Sequence, residues 1–245
     1  MTVEAQMRHG HAVLDLPSRN LKAKKIAALL GESPGSPRKR LLEIGCGSGG
    51  ISHWFGSAGP MGWEVAAVDI EDVRLIRDGY SFQRVADTRL PFPDETFDIV
   101  VTNHVIEHVG DEASQRSHLE EVRRVLRHDG CAYLAVPNKW MVVEPHFRLA
   151  FLSWLPLWIA HIYVRWSRKG THYDCRPLTS RHAEKLISEA RFKWEQKAGC
   201  ALKLTFELED PESWLYRGFL RNIPDAVYAR IRRVFPTLIY ILRPR

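Results

Sequence analysis

The chain contains 245 residues, of which 45% are apolar and 26% are charged, and this composition excludes a disordered, collagen-like or coiled-coil protein. Its net charge of +6 is uneven, since residues 1–139 hold 17 Lys and Arg against 19 Asp and Glu, whereas residues 140–245 hold 18 against 10. A basic C-terminal part indicates an anionic partner, although a solvated basic surface explains the same charge equally well.

The cysteines and the N-terminal residues bear on the cellular compartment. None of the four cysteines belongs to a C-x-x-C pair or to a spacing typical of a disulfide framework, so reduced thiols are expected at Cys46, Cys131, Cys175 and Cys200. Residues 1–16 lack the charged segment, apolar stretch and small-residue cleavage site of a signal peptide. We therefore expect a cytoplasmic protein, with membrane association left open by a later segment of the chain.

Apolar periodicity predicts the order of the elements. Apolar positions spaced as on one helix face, followed by Gly31, predict an amphipathic helix over about 18–31. The apolar runs LLEIGC, VAAVDI, FDIVVTN and CAYLAVPN then follow, with helical periodicity in SHLEEVRRVLRHDG between the last two. Continuous apolar runs of this kind indicate a parallel sheet covered on both faces, which binds ligands just beyond the carboxyl ends of its strands.

A glycine-rich turn follows the first apolar run, in EIGCGSGG at residues 43–50. Glycines permit a tight strand-to-helix turn and bring a ligand close to the backbone amides. Gly45, Gly47 and Gly50 satisfy the dinucleotide fingerprint G-x-G-x-x-G, and Asp69 at the end of the next run suits a ribose hydroxyl. A nucleotide-like ligand is predicted, and this motif alone leaves NAD open.

Carboxylates close three successive apolar runs. Besides Asp69, Glu43 lies two residues before the first glycine, where it can reach the cationic end of a ligand, a group that NAD lacks. Asp87 closes FQRVAD, where it can accept a hydrogen bond from an adenine amine beside the amide of Thr88. A single acid of this kind is as often a surface carboxylate, but three in order argue against coincidence.

The segments LLEIGCGSGG, VAAVDI, VADTRLPFPDETFDIVVTNHVIEHV and EVRRVLRHDGCAYLAVPN resemble, in order and spacing, class I S-adenosylmethionine (SAM)-dependent methyltransferases. The resemblance covers about residues 40–138. It implies an α/β, Rossmann-like domain with a seven-stranded, mostly parallel sheet, helices on both faces and a helical cap insertion, with PTLIYILRPR as an antiparallel last strand. The whole chain, 1–245, would then be one domain, with an N-terminal helix at about 18–31, a SAM-binding core at about 40–138 and a cap at about 140–176.

The resemblance also implies SAM as the cofactor and a set of residues that bind it. Glu43 and the first glycines would lie near the methionine moiety, and Asp69 would bind the ribose. Asp87 and Thr88 would contact adenine, and the residues after the fourth strand would flank the site. The residues in this set lie at strand ends or in the turns that follow: Glu43, Gly45, Cys46, Gly47, Gly49, Asp69, Ile70, Asp87, Thr88, Asn103 and His104.

Histidines after the fourth apolar run are the first candidates for catalysis. His104, Glu107 and His108 are spaced i, i+3 and i+4, so they share one face if this segment is helical. HVIEHV resembles the E-x-x-E-H pattern that supplies metal ligands in small-RNA 2′-O-methyltransferases and ubiquinone-pathway O-methyltransferases, with His104 in place of the first Glu. Glu107 and His108 are therefore metal-ligand candidates, but the alternative in which they fix the loop by hydrogen bonds is favoured, and no metal is predicted.

A general base is needed when a hydroxyl accepts the methyl group. The catalytic candidates are His104, His108 and His172, of which His172 precedes RPLTSRHAEKLISEARF, a helix capped by Thr179 or Ser180. His146 is a further candidate. A histidine in an inserted segment is more often a structural hydrogen-bonding residue, so this alternative stays open for His146 and His172.

Residues 147–166 are apolar at 15 of 20 positions and rich in tryptophan. Arg148 and Arg165 bracket only 16 residues, fewer than the ~18 of a membrane-spanning helix. One hypothesis is a cap helix buried over the active site or in a homodimer interface, and it is favoured. The other is a peripheral membrane contact, since Trp suits the lipid interface and basic residues follow at Arg165, Arg168 and Lys169.

The sequence therefore predicts methyl transfer from SAM, most simply to oxygen, with a saccharide, a lipid-linked glycan or a small metabolite as the acceptor. The alternatives are an NAD(P)-dependent oxidoreductase and a catalytically silent SAM-binding scaffold. Nucleic acid is disfavoured as a partner, because the basic residues are scattered and no basic–aromatic RNA-binding motif is present.

Overall fold

The computed structural model describes residues 15–57 and 61–245. Residues 1–14, on which the prediction about a signal peptide largely depends, lie outside the described residues. A seven-stranded sheet in the order β3-β2-β1-β4-β5-β9-β8 forms the centre of the molecule. Its strands are β1 (Arg40–Ile44), β2 (Glu64–Asp69), β3 (Ser81–Arg84), β4 (Phe97–Asn103), β5 (Leu126–Pro137), β8 (Phe192–Gln196) and β9 (Thr237–Pro244).

The direction of the strands confirms the predicted fold class. β1 to β5 pair in parallel, whereas β9 runs antiparallel to both β5 and β8. β9 contains the terminal run that the resemblance placed as an antiparallel last strand. The order of the strands reverses between β1 and β4, and in a doubly wound sheet a ligand crevice opens at the carboxyl ends beside this point.

Helices cover both faces of the sheet, because adjacent strand residues point to opposite sides. Leu41 belongs to a core with Ile26 and Phe55, and its neighbour Leu42 belongs to a second core with Leu119. The helices are α1 (Leu16–Leu30), α2 (Gly50–Gly56), α3 (Glu112–Val125), α4 (Leu157–Trp166), α5 (Ser180–Glu189), α6 (Ala198–Glu209), α7 (Trp214–Gly218) and α8 (Asp225–Arg230).

Three predicted boundaries differ from the structure. The segment SHLEEVRRVLRHDG is helical only as far as Val125, since Leu126 is extended and begins β5. The run FQRVAD leaves the sheet at Arg84, three residues before Asp87, because β3 is a short edge strand with little buried apolar surface. α1 begins at Leu16, two residues earlier than predicted, and Gly31 ends it in the left-handed conformation.

The segment between β5 and α5 folds as a separate cap. It contains a two-stranded hairpin, β6 (Val143–Glu144) with β7 (Leu149–Ala150), a 3₁₀ turn at Leu152–Trp154, and α4. The cap has a small core of its own, formed by Phe147, Leu149, Leu152, Ala160, Val164, Tyr173 and Cys175. No helix within residues 15–57 and 61–245 is both long enough and apolar enough to cross a bilayer.

Candidate functional site

The turn after β1 is built so that only glycine fits at its key positions. Gly45 and Gly49 have φ angles of +74° and +80°. A Cβ at Gly45 would lie 2.4 Å from Cγ2 of Val105, and a Cβ at Gly49 would lie 2.1 Å from the hydroxyl of Tyr80. Side chains at these two positions are excluded by the backbone conformation and by the neighbours, so a ligand can approach the backbone of the turn closely.

Asp69 ties the glycine turn to the end of β2. The amide of Gly47 donates to its Oδ2 at 2.8 Å, and the amide of Ile70 donates to its Oδ1 at 2.7 Å. The amide of Gly45 donates to the carbonyl of Val68 at 2.8 Å. The structure therefore brings Asp69, Ile70, Gly47 and Gly45 together, and the assignment of Asp69 to a ribose stays a prediction.

Glu43 lies near the end of β1, close to Asp69 and Cys46, and is 2% exposed. Burial raises the pKa of its carboxyl to about 8, although the Ser52 hydroxyl donates a hydrogen bond to it and the guanidinium of Arg19 is nearby. Cys46 is also buried beside the turn. Sequence reasoning missed Ser52 and Arg19, and Arg19 gave no local signal because α1 brings it to Glu43 from outside the strand-and-turn motif.

The residues after β3 are separate from this group. Asp87 is exposed, and its Oδ1 accepts from the amide of Arg89 at 2.7 Å. The hydroxyl of Thr88 lies 3.1 Å from that of Ser117 in α3. The structure shows no hydrogen bond between these residues and Glu43 or the glycine turn among the residues that it describes, so an adenine contact stays a prediction.

The residues after β4 form a turn and not the helix on which the shared-face argument depended. His104 has a φ of +59°, and its amide donates to the carbonyl of Ala135 at 2.9 Å. This conformation still brings its Nδ1 to 3.2 Å from Oε1 of Glu107. The left-handed residue therefore directs the imidazole onto the buried carboxylate, and Asn103 precedes it at the end of β4.

Two buried oxygens beside this turn have no hydrogen-bond partner among the described residues: Oδ1 of Asn103 and Oε2 of Glu107. Burial raises the pKa of Glu107, but the hydrogen bond with His104 and the proximity of His108 outweigh it, so the pKa lies below its usual value. Buried acceptors of this kind favour a ligand that brings donors or positive charge.

A cluster of a thiol and two imidazoles joins this turn to the cap. Sγ of Cys175 lies 3.8 Å from Nδ1 of His108 and 3.8 Å from Nδ1 of His146. The same Nδ1 of His146 lies 2.7 Å from Oε1 of Glu144, a completely buried carboxylate. Burial lowers the pKa of His146, but its hydrogen bond with Glu144 outweighs burial, so the pKa rises above its usual value.

His172 lies apart from that cluster. Its Nδ1 is 3.0 Å from the hydroxyl of Thr171, and its ring is 6.1 Å from that of His161 in α4. Of the three predicted catalytic histidines, the structure thus brings His104 and His108 to Glu107, whereas His172 contacts residues of the cap.

A seven-stranded sheet with β9 inserted antiparallel, a glycine turn after β1 and an acid at the end of β2 together define a Rossmann-like domain of the methyltransferase type. Residues 42–134 match the family model described as a methyltransferase domain. Residues 42–134 are therefore a methyltransferase domain of the class I type, with SAM as the cofactor.

Relatives and solved structures agree with this assignment. The chain is 26% identical over 184 residues to the ubiquinone biosynthesis O-methyltransferase of Chelativorans sp. (strain BNC1), covering 71% of this chain and 68% of that one. It is 32% identical over 112 residues to a probable S-adenosylmethionine-dependent methyltransferase of Mycobacterium tuberculosis, covering 44% and 39%.

Among solved structures, the PH0226 protein from Pyrococcus horikoshii OT3 has a TM-score of 0.56 at 15% identity, covering all of both chains. A geranyl diphosphate methyltransferase in complex with SAM has a TM-score of 0.51 at 14% identity, covering 91% of this chain and 83% of that one. At these identities the structures establish the fold alone.

The residues of the crevice fit SAM, which carries an ammonium group, a carboxylate and a nucleoside. Glu43 and Asp69 would hold its cationic and ribose ends, and the glycine turn, which has no side chains at Gly45 and Gly49, would leave room for its amino-acid part. Asn103 adds a buried acceptor that has no hydrogen-bond partner among residues 15–57 and 61–245. When bound, SAM supplies an electrophilic methyl group on a sulfonium.

Proposed function

We propose that this methyltransferase acts on a hydroxyl oxygen, and that its acceptor is a lipid-linked glycan or another small molecule presented at a membrane surface. The observation that carries the oxygen assignment is the His104–Glu107 pair at the carboxyl end of β4. The name of the relatives, ubiquinone biosynthesis O-methyltransferase, supports the same atom.

The pair has the arrangement of a general base with an orienting acid. With the Nδ1 proton of His104 held by Glu107, Nε2 carries the lone pair that can accept a proton. The imidazole takes the hydroxyl proton while the acceptor oxygen bonds to the methyl carbon. The electrons of the breaking carbon–sulfur bond return to sulfur. Positioning supplies most of the remaining rate, since this is an in-line displacement.

Substitution of His104 by Asn tests the base. Asn tolerates the left-handed backbone at this position but has no basic nitrogen, so the fold should persist while kcat falls by about 10²–10⁴-fold. The matched control is His128→Asn, which changes an exposed histidine in β5. Radiolabelled methyl is transferred from SAM into a membrane extract, and the product is then hydrolysed. Hydrolysis releases methanol from an ester, whereas a methyl ether and a methylamine survive, and cation exchange then retains only the methylamine. A methylamine product, or an unchanged kcat in His104→Asn, would reject the proposal.

The membrane assignment is supported by the outer surface of the cap. α4 packs Ala160 and Val164 into the cap core, so the opposite face is exposed, with Trp158, Ile162 and Trp166 at i, i+4 and i+8. Trp158 is 65% exposed and Trp166 is 81% exposed. We call this surface the cap face; elsewhere in the cap, the exposed apolar residues are Trp140, Val142, Val143, Phe151, Trp154 and Leu157.

The charge around the cap face complements an anionic bilayer. Residues 145–173 contain four Lys and Arg and no Asp or Glu. Exposed aromatic side chains beside basic residues are typical of helices that lie in the lipid interface. A second copy of the chain would bring the same positive charge against itself, so anionic lipid is the occupant that the charges favour.

Vesicle sedimentation tests the cap face. Trp158→Ala with Trp166→Ala should weaken binding to vesicles containing phosphatidylglycerol by at least about tenfold, because about 60 Å² of lost apolar contact already costs ~1.4 kcal/mol. Trp214→Ala is the matched control, since Trp214 is 82% exposed in α7 and outside the cap face. If the double substitution leaves vesicle binding unchanged, the membrane assignment of the cap face is wrong and another surface is responsible. If the wild type is a stable dimer that the double substitution dissociates, the cap face binds a second copy of the chain instead of lipid.

A further inference from the structure

Three donor atoms of two kinds meet where the cap joins the sheet. They come from the turn after β4 (His108), from the hairpin loop between β6 and β7 (His146) and from the segment before α5 (Cys175). All three donor atoms lie within 4.8 Å of one another, although the chain separates Cys175 from His146 by 29 positions and from His108 by 67. Only the tertiary fold brings residues so distant in sequence together.

The distances suit a metal ion held by sulfur and nitrogen. With Zn–S near 2.3 Å and Zn–N near 2.0–2.1 Å, tetrahedral ligands place sulfur and nitrogen about 3.6 Å apart. Sγ of Cys175 is 3.8 Å from Nδ1 of His108 and 3.8 Å from Nδ1 of His146. The thiol of Cys175 donates its proton to Oδ1 of Asp174 at 3.7 Å, and a zinc ion on the sulfur would replace this proton.

We infer that His108, His146 and Cys175 bind a Zn²⁺ ion that fastens the cap to the turn after β4. Thiolate and imidazole ligands select zinc over magnesium or calcium, which prefer oxygen. The predicted metal candidates were Glu107 and His108, and only His108 belongs to this set. The site therefore differs from an E-x-x-E-H arrangement in its donors and in its use of the cap.

Charge balance supports the inference. A zinc ion with one thiolate and two neutral imidazoles keeps a charge of +1, which needs a counter-charge in a buried place. The buried carboxylate of Glu144 supplies it: when Nδ1 of His146 gives its lone pair to the ion, it loses its hydrogen bond with Oε1 of Glu144, 2.7 Å away, and this oxygen then lies beside the ion. Oε2 of Glu144 accepts from the amide of Phe147 at 2.7 Å. Glu144 is thereby held in place by the hairpin that carries His146.

The expected consequence is an ordered cap. His146 and Cys175 lie on either side of a segment that contains α4 and most of the cap core, so a shared ion closes this segment into a loop at its base. A ligand that binds only the folded state stabilises it in proportion to the logarithm of its concentration. Zinc should thus raise the melting temperature and protect residues 147–173 from proteolysis.

The test uses the full chain purified without a histidine tag. Zinc titration and metal analysis should give about one ion per chain, and Co²⁺ should give the near-ultraviolet thiolate charge-transfer band of a cysteine ligand. Cys175→Ser and His146→Gln should each weaken zinc by at least about 100-fold and abolish the band. Cys200→Ser, which changes the half-buried cysteine of α6, is the matched control.

Two results would overturn the inference: absence of zinc binding and of the cobalt band in the wild-type chain, or equal zinc affinity in Cys175→Ser and wild type. The cobalt spectrum needs no variant, so a misfolded variant does not remove the test. Metal content is also read without any methyl transfer. Zinc binding with no methylated product would therefore reject the proposed function but support the metal site. A methylated product without zinc binding would support the proposed function and reject the metal site.

Discussion

The buried carboxyl of Glu43 should make the protein less stable as pH rises. Burial raises its pKa from 4.5 to about 8, so the folded protein keeps a proton that the unfolded chain loses over this range. The stability associated with this group is therefore complete below about pH 4.5 and is lost as pH rises through about 8. A shift of this size corresponds to about 5 kcal/mol, at ~1.4 kcal/mol for each pH unit.

Glu43→Gln removes the titration while keeping the shape of the side chain. The free energies of unfolding of the two proteins should agree within about 1 kcal/mol at pH 5, because both then have a neutral group facing Ser52. Between pH 5 and pH 9 the wild-type value should fall relative to the variant, until the variant is more stable by up to about 5 kcal/mol. Urea unfolding followed by circular dichroism measures both values, with Glu120→Gln as an exposed control in α3.

SAM binding provides the second readout of the same substitution. A ligand ammonium beside Glu43 favours the ionised carboxylate, so binding releases a proton and wild-type affinity should rise from about pH 6 to pH 7.5. The variant should bind SAM at least about tenfold more weakly, with a flatter pH profile. If the difference in unfolding free energy between wild type and Glu43→Gln stays constant from pH 5 to pH 9, the pKa of Glu43 is not raised by burial and the prediction is wrong.

Three further substitutions test the frame of the site. Gly49→Ala should lower the free energy of unfolding by about 1–3 kcal/mol and weaken SAM binding in calorimetry. The added Cβ would lie 2.1 Å from the Tyr80 hydroxyl, and alanine would have to adopt the positive φ of Gly49. Gly35→Ala is the control, because Gly35 also has a positive φ but no atom within 4 Å of the added Cβ, so only the backbone effect should appear. Asp69→Asn should weaken SAM binding by about 10–100-fold, since a neutral amide is a poorer acceptor for the Gly47 amide, and unchanged affinity would contradict this. Thr179→Ala removes the N-cap of α5 and should cost about 0.5–2 kcal/mol in urea unfolding, which Thr179→Ser should largely restore.

The parts of the fold that the sequence predicted are those whose signal is local. β1, β2, β4 and β5 are apolar runs long enough to be buried on both faces. The turn after β1 requires several glycines close together, a pattern that is easily recognised in a sequence. β3 was placed too far along the chain because its four residues are mostly exposed. β8 was not predicted, since Phe192–Gln196 mixes polar and aromatic residues at a sheet edge.

The parts of the site that the sequence did not predict depend on contacts between distant segments. Arg19 reaches the crevice from α1, and Cys175 reaches His108 from 67 positions away. No spacing rule marks such pairs, because only the packing of the cap on the sheet brings them together. The contact between His104 and Glu107 was anticipated through a helix, whereas a single left-handed residue produces it.

A continuous series of contacts links the cofactor crevice to the cap face. Glu107 contacts His104 on one side and lies 3.9 Å from Nε2 of His108 on the other. His108 contacts Cys175, which belongs to the same small core as Val164 of α4. The exposed face of that helix is the surface proposed to meet lipid. An ion at Cys175 would therefore act on both ends of the series. At one end it would fix Glu107, the carboxylate that orients His104, and at the other it would hold α4 in the position that exposes its aromatic face. Coupling between the two ends requires an element with two states that the two ends favour differently. The junction between cap and sheet would be that element, because the metal donors come from both sides of it.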